Sequence, residues 1–171
     1  HEILRGCIRG CRFCQAGFIY RPIREKSADT INTQCQRLCE NTGYDEISLS
    51  SLSTSDYTHL EELMEKLLTW TEKDKVNIAL PSLRVDNFSE KLMGYLSRVR
   101  RSGLPFAPEA GTQRLRDAIN KNVTEEEMLS TARKSFSGGW TAVKLYFMLG
   151  LPTETYEDVA GIAELAQKVV N

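Results

Sequence analysis

Short apolar runs of β type alternate along the chain with longer stretches in which apolar residues recur at intervals of three and four. The β-like runs are residues 3–5, 46–50, 76–80, 104–107 and 142–148. The amphipathic helical faces between and after them are Ile31, Cys35, Leu38 and Cys39; Leu60, Leu63, Met64, Leu67 and Leu68; Phe88, Leu92, Leu96 and Val99; Met128, Leu129, Ala132 and Phe136; and Val159, Ile162, Ala163, Ala166 and Val169. Because β and α segments alternate five times, the pattern predicts a parallel sheet with right-handed crossovers.

Helix boundaries can be predicted for the last two helical stretches. Thr124 and Glu127 have the spacing of a capping box, and Gly138 is a suitable stop for the helix that they begin. Thr155 and Asp158 have the same spacing at the start of the final helix.

The residues with unusual chemistry cluster directly after the β-like runs, at 7–14, 50–56, 81–86, 108–111 and 150–154. In a parallel β/α architecture these loops emerge at one end of the sheet, where such folds place their sites. The sequence therefore predicts a single site that is assembled from five loops.

Composition narrows the class of protein. The 171 residues, 41% hydrophobic and 26% charged with a net charge of −1, are typical of one soluble domain. No apolar run approaches the roughly 18 residues of a membrane span, and the charge balance gives no argument for nucleic acid. The chain starts at His1, so we expect a segment of a longer protein. Five cysteines, three of them crowded together, suit a reducing, cytoplasmic setting better than a disulfide framework.

The crowded cysteines are Cys7, Cys11 and Cys14, at the spacing C-x3-C-x2-C. Three thiolates could hold zinc, but structural zinc usually takes a fourth protein ligand, and neither His1 nor His59 is suitably spaced. Three thiolates on a four-iron cluster would leave one iron open for chemistry. Both hypotheses, a zinc site and a four-iron cluster with one open iron, are compatible with the cysteine spacing.

The residues around these cysteines resemble a known family. The cysteine spacing with Phe13 before the last thiol, the stretch "RGCIRGCRFCQAGFIYRPIREKS", and the later "APEAGTQRLRDAINKNVTEEE" and "LGLPTET" are similar to radical S-adenosylmethionine (SAM) enzymes, near the cobalamin-associated and methylthiotransferase-like branch. The resemblance implies a partial parallel (β/α) barrel of about five β/α units, with the sixth missing, over residues 1–171.

The same resemblance implies the chemistry. Cys7, Cys11 and Cys14 would hold a [4Fe-4S] cluster, SAM would chelate the open iron, and reductive cleavage would give a 5′-deoxyadenosyl radical. A reductant such as flavodoxin or ferredoxin would supply the electron, and the substrate is unknown. A cobalamin-binding domain would lie outside this segment. The alternative is a non-catalytic zinc or iron–sulfur module that serves structure or electron transfer.

Several downstream residues are candidates for binding SAM through this resemblance: Phe13, Ser51, Ser53, Ser82, Arg84, Glu109, Lys121, Lys144 and Gly150. Ser51 and Ser53 stand where the family usually has a Gly-Gly-Glu-like stretch, although the segment could instead cap a helix through Ser55 or Asp56. Arg84 could hold a carboxylate of SAM or a substrate anion, or form a surface ion pair with Asp86.

Glu109 could accept hydrogen bonds from the ribose hydroxyls. Lys121 stands where the methylthiotransferase-like pattern has arginine, and could contact the carboxylate of SAM. Lys144 alternates with apolar residues, which predicts that it points inward and pairs with Glu109 or SAM. Leu149 and Gly150 resemble a platform for adenine.

Other conspicuous residues have simpler explanations. Cys35 and Cys39 share a helix face with apolar residues and should pack in the core. Arg114 and Arg116 should be charges on a helix surface, and Glu154 a charge in the first turn of the last helix. The N-terminal basic residues Arg5, Arg9, Arg12, Arg21, Arg24 and Lys26 could guide RNA, offset the charge of a cluster, or be solvated.

Overall fold

The computed structural model describes residues 1–87, 89–98 and 103–170. Its strands are β1 (Leu4–Arg5), β2 (Arg24–Glu25), β3 (Glu46–Ser48), β4 (Asn77–Ala79), β5 (Leu104–Glu109) and β6 (Val143–Phe147). Its helices are α1 (Ala16–Ile19), α2 (Ala28–Thr42), α3 (Leu60–Asp74), α4 (Glu90–Leu96), α5 (Gln113–Ala118), α6 (Glu125–Ser137) and α7 (Tyr156–Val170). Single turns of 3-10 helix cover Thr54–Asp56 and Val85–Asn87.

The β/α alternation predicts one parallel sheet, and among its described residues the structure shows parallel pairing in two separate two-stranded sheets. β3 runs parallel to β4, with Ile47 opposite Ile78, and β5 runs parallel to β6, with Leu104 opposite Val143. The N-terminal segment lies parallel to the end of β3, where Ile3 donates its N–H to the carbonyl of Ser50 at 3.1 Å. The chain is therefore an α/β fold.

One strand was not predicted. β2 pairs antiparallel with β1, and both its residues, Arg24 and Glu25, are exposed and charged. An isolated two-residue ladder needs no apolar alternation, so the hydrophobic pattern carries no signal for it. The short helix α1 was missed for a similar reason, because four residues are too few to show helical periodicity.

The main core lies between the strand pairs and the helices that cover them. Leu63, Met64 and Leu67 of α3 are completely buried, which confirms the predicted face of that helix. In α2, Ile31 and Cys35 are also completely buried, whereas Leu38 is 45% exposed. Full burial of an aliphatic side chain contributes about 1.5–3 kcal/mol, so these faces fix the helices against the sheet.

Cys35 packs in this core, as expected. Burial disfavours its thiolate and raises the pKa of the thiol to about 11. Cys39 is partly buried against the same core, and burial is the largest cause of its raised thiol pKa. In the α4 region, Leu92 and Leu96 are buried as predicted, while Phe88 and Val99 lie outside the described residues.

The predicted boundaries of α6 are confirmed. The Thr124 hydroxyl accepts a hydrogen bond from the N–H of Glu127, and the Glu127 carboxylate accepts one from the N–H of Thr124. Gly138 caps the helix at its C-terminus, donating to the carbonyl of Lys134 at 2.8 Å. At the start of α7, Asp158 accepts from the N–H of Thr155 at 2.8 Å. No helix within the described ranges has the length and apolar composition to cross a membrane.

The predicted face of α7 was only partly right. Ile162, Ala166 and Val169 are half-buried, but Val159 and Ala163 are exposed. The fully buried residues of the helix are Asp158, Gly161 and Leu165, and its backbone comes very close to the turn after β5. Hydrophobic periodicity cannot reveal a contact between backbones.

That contact involves Gly111, which follows β5. A β-carbon added to Gly111 would lie 2.3 Å from the amide nitrogen of Ile162 and 2.5 Å from the carbonyl carbon of Gly161. The end of β5 is thereby fixed against α7 with no room for a side chain.

We predict that Gly111→Ala lowers the free energy of unfolding by about 1–3 kcal/mol, because the new methyl group forces α7 away from the turn after β5. Gly94→Ala is the matched control, since its β-carbon would meet nothing within 4 Å in the helix α4. Alanine there should stabilise the protein by about 0.5–1 kcal/mol. Urea denaturation of both variants measures the difference, and equal midpoints would contradict the prediction.

Candidate functional site

A cleft of about 290 Å³ lies at the ends of the strands, where the loops after β1, β3, β4 and β5 meet. It brings together all three clustered cysteines and most of the polar residues singled out in the sequence. Its lining includes Cys7, Arg9, Cys11, Phe13, Cys14, Ser53, Ser82, Arg84, Glu109, Lys121 and Tyr146. The loop at 150–154 does not line it, so four of the five predicted loops converge.

The cysteine loop is shaped by tight backbone contacts. Gly6, at φ +101°, allows the turn into the loop, and a β-carbon there would lie 2.6 Å from the carbonyl oxygen of Tyr20. Cys14 donates its N–H to the carbonyl of Cys11 at 3.1 Å, which closes a turn around the last two thiols. Cys11 is buried, whereas Cys7 and Cys14 are half-buried, and all three are free thiols. Among the described residues no three His, Cys, Asp or Glu side chains are grouped as ligands of one metal ion.

An ion-pair network anchors this loop to the sheet. The Arg9 guanidinium lies between two carboxylates: its Nε is 2.9 Å from Asp56, and another nitrogen is 3.1 Å from Asp86. Asp86 also accepts from Arg84 at 2.8 Å, and Asp56 accepts from the Ser53 hydroxyl at 2.7 Å. We call these five residues the arginine–aspartate network; they join the cysteine loop to the loops after β3 and β4.

Asp56 and Arg9 of this network keep their charged forms despite burial. Burial is the largest influence on the Asp56 carboxyl and by itself raises its pKa, but the hydrogen bonds from Arg9 and Ser53 outweigh it, so the pKa lies below its ordinary value. The bond to Asp56 likewise raises the pKa of Arg9. The side chain of Asp56 is only 5% exposed, so the pair is shielded from solvent.

A second ion pair lies at the end of β5. Glu109 Oε1 is 3.1 Å from Lys121 Nζ, and the two side chains are 16% and 11% exposed. Glu109 has φ +68°, a left-handed conformation that turns the chain off the strand. Lys121 Nζ also lies 5.8 Å from the centre of the Phe13 ring. The carboxylate, the ammonium and the aromatic ring thus line the same cleft as the thiols.

The end of α5 contacts the cysteine loop directly. The Asn120 side-chain amide donates to the carbonyl of Gly10 at 2.7 Å, and the Arg12 N–H donates to the carbonyl of Ile119 at 2.9 Å. The Arg12 side chain donates to the carbonyl of Ala118 at 2.5 Å. The turn that carries Lys121 and the loop that carries the thiols are therefore held together.

Six of the nine predicted cofactor-binding residues line the cleft beside the thiols: Phe13, Ser53, Ser82, Arg84, Glu109 and Lys121. Arg84 forms the ion pair with Asp86 that the sequence allowed, and also donates to the carbonyl of Lys121 at 3.2 Å. Its side chain is only 9% exposed, so this pair is not the surface contact that was expected as the alternative.

The other three predicted residues lie outside the lining of the cleft. The Ser51 hydroxyl is 2.8 Å from the Thr54 hydroxyl and borders a different cavity. Gly150 is exposed, and its N–H donates to Glu154 at 2.7 Å, so Glu154 closes a loop and does not belong to α7.

Lys144 is exposed, contrary to the expectation from its apolar neighbours. Its position opposite Pro105 places it on the cleft side of the strand, since opposite residues in a sheet share a face and Pro105 lines the cleft. The partner of Glu109 is Lys121 and not Lys144.

Sequence reasoning missed the anchoring roles of Arg9 and Asp56. The sequence predicts for the N-terminal basic segment a role in guiding RNA, in offsetting the charge of a cluster or in solvation, and for Asp56 a helix cap. Arg9 lies 47 residues from Asp56 and 77 residues from Asp86 in sequence, so no local pattern links them. The one available signal was the position of an arginine between two ligand-like cysteines.

Arg116 was also wrongly assigned to a helix surface, because it is completely buried. Arg114, on the same helix, is half exposed and pairs with Asp158.

Comparison with known proteins gives a consistent assignment. The sequence model of the radical SAM superfamily matches residues 1–166. Uncharacterized protein MJ0966 of Methanocaldococcus jannaschii is 36% identical over 168 residues, which are 98% of this chain and 36% of that protein. Uncharacterized protein MJ1620 of the same organism is 20% identical over 95% of this chain and 35% of its own length. The chain thus spans about a third of the curated relatives that it matches.

Two solved structures share the fold at low identity. The radical SAM methyltransferase TsrM of Kitasatospora setae, with cobalamin and a [4Fe-4S] cluster bound, superposes with a TM-score of 0.81 at 12% identity, over 99% of this chain and 34% of that one. The cobalamin-dependent radical enzyme OxsB, with aqua-cobalamin bound, gives a TM-score of 0.72 at 15% identity, over 96% of this chain and 26% of that one.

We predict that Arg9→Met lowers the free energy of unfolding by about 1–3 kcal/mol at pH 7, because it leaves two shielded carboxylates without their shared partner. The folded pKa of Asp56 is depressed, so the stabilisation is fully present above the ordinary carboxyl value and is lost as the pH falls through the folded pKa. The difference between wild type and variant should therefore shrink below about pH 4.

The control is Arg5→Met, which breaks an exposed pair with Glu2 and should change stability less. Urea denaturation between pH 3 and pH 8 measures both variants. A loss in Arg9→Met that is the same at every pH would show that packing, and not the ion pairs, accounts for the effect.

Proposed function

This chain belongs to the radical SAM superfamily, and we propose that its cleft binds a [4Fe-4S] cluster through Cys7, Cys11 and Cys14, with SAM beside it across the strand ends. The proposed fold is the partial parallel barrel implied by the five β/α units. The parallel strand pairs and the similarity to TsrM support it. The convergence of three free thiols on one cleft is the observation that carries the proposal.

The residues of the cleft fit the proposed groups. Thiolates are the usual ligands of iron–sulfur clusters, and three of them leave one iron for another ligand. When bound, a reduced cluster of this type supplies the electron for reductive cleavage of SAM. The protein's part is then to bind, orient and shield the reacting groups.

The charged pair at the end of β5 is suited to a zwitterionic nucleoside such as SAM. The Glu109 carboxylate can accept hydrogen bonds from ribose hydroxyls, and the Lys121 ammonium can contact a carboxylate. The two groups already neutralise each other, so the cleft holds both charges without a ligand. Ligand binding would exchange part of this internal contact for contacts with SAM.

Three further residues line the cleft: Ser53, Arg84 and Phe13. The Ser53 hydroxyl donates to Asp56, so its oxygen remains free to accept a hydrogen bond from an amine. Arg84 is engaged by Asp86 and by the carbonyl of Lys121, so in this proposal it fixes the backbone that carries the lysine. Phe13 supplies an apolar surface next to Cys14 and beneath the ammonium.

The further components of the proposed enzyme would come from outside residues 1–171. Both solved neighbours are described with cobalamin, which supports a cobalamin-binding domain elsewhere in the whole protein. An acceptor substrate and a flavodoxin- or ferredoxin-type reductant complete the proposed reaction. A cytoplasmic location and the use of the N-terminal arginines for RNA stay predictions.

The proposal predicts about four irons with sulfide per chain after anaerobic reconstitution. Cys11→Ala should abolish the loading, because the remaining two thiolates cannot hold the cluster. Iron, sulfide and zinc analysis, with electron paramagnetic resonance after dithionite reduction, measures the outcome. About one zinc with no sulfide would support a non-catalytic zinc module instead.

The matched control is Cys39→Ala. Cys39 is a free, partly buried thiol outside the cleft, so its removal should leave iron loading unchanged without opening the core as Cys35→Ala would. Formation of 5′-deoxyadenosine from SAM by the reduced wild-type protein tests the catalytic claim. A loaded cluster that gives no 5′-deoxyadenosine would favour the electron-transfer alternative.

For SAM itself, we predict that Glu109→Gln weakens binding roughly tenfold or more while iron loading stays unchanged, since a charged hydrogen-bond acceptor is lost from the cleft. Equilibrium dialysis of the cluster-loaded protein measures the dissociation constant. Glu61→Gln, on an exposed pair with Lys91 of α4, is the control and should bind SAM as the wild type does. Unchanged affinity in Glu109→Gln would remove Glu109 from the proposed site.

A further inference from the structure

Arg116 is a buried cation that has no carboxylate in hydrogen-bond contact among residues 1–87, 89–98 and 103–170. It lies on α5, its side chain is completely buried, and its hydrogen bonds within this part of the chain go to uncharged oxygens. Burial is the largest influence on its guanidinium and lowers the pKa. A charge is costly to bury, so an arginine held only by neutral acceptors requires a structural explanation.

The acceptors of Arg116 flank both members of the Glu109–Lys121 pair. One guanidinium nitrogen donates to the carbonyls of Ala110 and Gly111, at 3.0 and 3.1 Å, in the turn directly after Glu109. Nε donates to the carbonyl of Val123 at 3.1 Å, two residues after Lys121. The guanidinium fork thus spans the two segments from which the acid and the lysine project.

The backbone of Arg116 completes the connection, since its carbonyl accepts the N–H of Lys121 at 2.9 Å. The segment after α5 needs such support, because Asn120 and Asn122 on either side of Lys121 both adopt left-handed conformations, at φ 55° and 51°. Glu109 is left-handed as well. Three residues in a sparsely populated conformation persist only where surrounding contacts fix them.

We propose that Arg116 is a positioning residue for the cleft, which holds Glu109 and Lys121 in register with each other by binding the backbone on both sides of the pair. Lysine cannot replace it. A single ammonium lacks the planar fork that reaches Val123 and the Ala110–Gly111 turn at once. The proposal rests on the proposed function only for its effect on SAM; its effect on the ion pair is independent of any ligand.

The test compares Arg116→Lys with Arg114→Lys, two residues away on the same helix. Arg114 is half exposed and pairs with Asp158 away from the cleft, so its replacement controls for changes to α5. In cluster-loaded protein without SAM, competitive acetylation with mass spectrometry measures the reactivity of Lys121, with the exposed Lys91 as internal reference. Lys121 should become several-fold more reactive in Arg116→Lys and stay unchanged in Arg114→Lys.

The second measurement is the dissociation constant of SAM by equilibrium dialysis. It should rise by roughly tenfold to a hundredfold in Arg116→Lys, with iron loading retained, because the pair that would receive SAM loses its geometry. Wild-type protein that binds no SAM would count against the proposed function, and the acetylation measurement would then decide the role of Arg116 alone.

A folded Arg116→Lys with wild-type Lys121 reactivity would overturn the proposal. If Arg116→Lys does not fold, Gln113→Ala decides the question. This variant removes the side-chain acceptor 3.1 Å from the guanidinium and leaves Arg116 in place. Lys121 should then become more reactive by a smaller factor, and unchanged reactivity would overturn the proposal.

Discussion

The geometry of the cleft depends on the sharing of the Arg9 guanidinium between Asp56 and Asp86. The cysteine loop has little regular structure, and its position relative to the sheet must be set by contacts that it makes with other loops. An arginine between two carboxylates sets this position by charge and by direction, because the planar fork fixes the angle of approach. Cys7 and Cys11, which flank Arg9 in the sequence, are positioned by the same contact.

A second set of contacts fixes the same loop from the other side. Asn120 and Arg12 join it to the end of α5, and α5 in turn is joined to the end of β5 through Arg116. The cleft is therefore held on one side by ion pairs and on the other by hydrogen bonds to backbone carbonyls. Protonation of the carboxylates in acid removes the ion pairs, whereas the hydrogen bonds between a guanidinium and neutral carbonyls contain no group that acid protonates. The two sides of the cleft should thus differ in how they respond to acid.

The sequence predicted the parts of this fold that follow from periodicity and spacing. The apolar face of α3, the capping box at Thr124 and the parallel strand pairs arise from local patterns, and the structure confirms them. The face of α6 is confirmed at Met128 and Ala132 but not at Phe136, which is exposed. The face of α7 was only partly right, and the contact between Gly111 and the helix backbone, which depends on the absence of side chains, has no hydrophobic signal. The burial of Arg116 was missed for a related reason: its acceptors are backbone carbonyls, which every residue has.

The same limit applies to the candidate site, where the sequence predicted which residues belong to the site but not which of them pair with each other. The family resemblance predicted that Glu109, Lys121 and Phe13 belong to one site, but it could not pair Glu109 with Lys121 in preference to Lys144. That choice depends on the turn after α5, whose left-handed asparagines bring Lys121 back towards the strand.

The left-handed backbone of Glu109 has a consequence for any attempt to make this protein more resistant to heat. A residue other than glycine in that conformation costs on the order of 1 kcal/mol, so glycine at this position would relax the chain. It would also delete the carboxylate that lines the same cleft as the thiols. At this position, a substitution that relieves backbone strain also removes a side chain of the proposed site. Substitutions that stabilise the fold therefore have to be made at other positions.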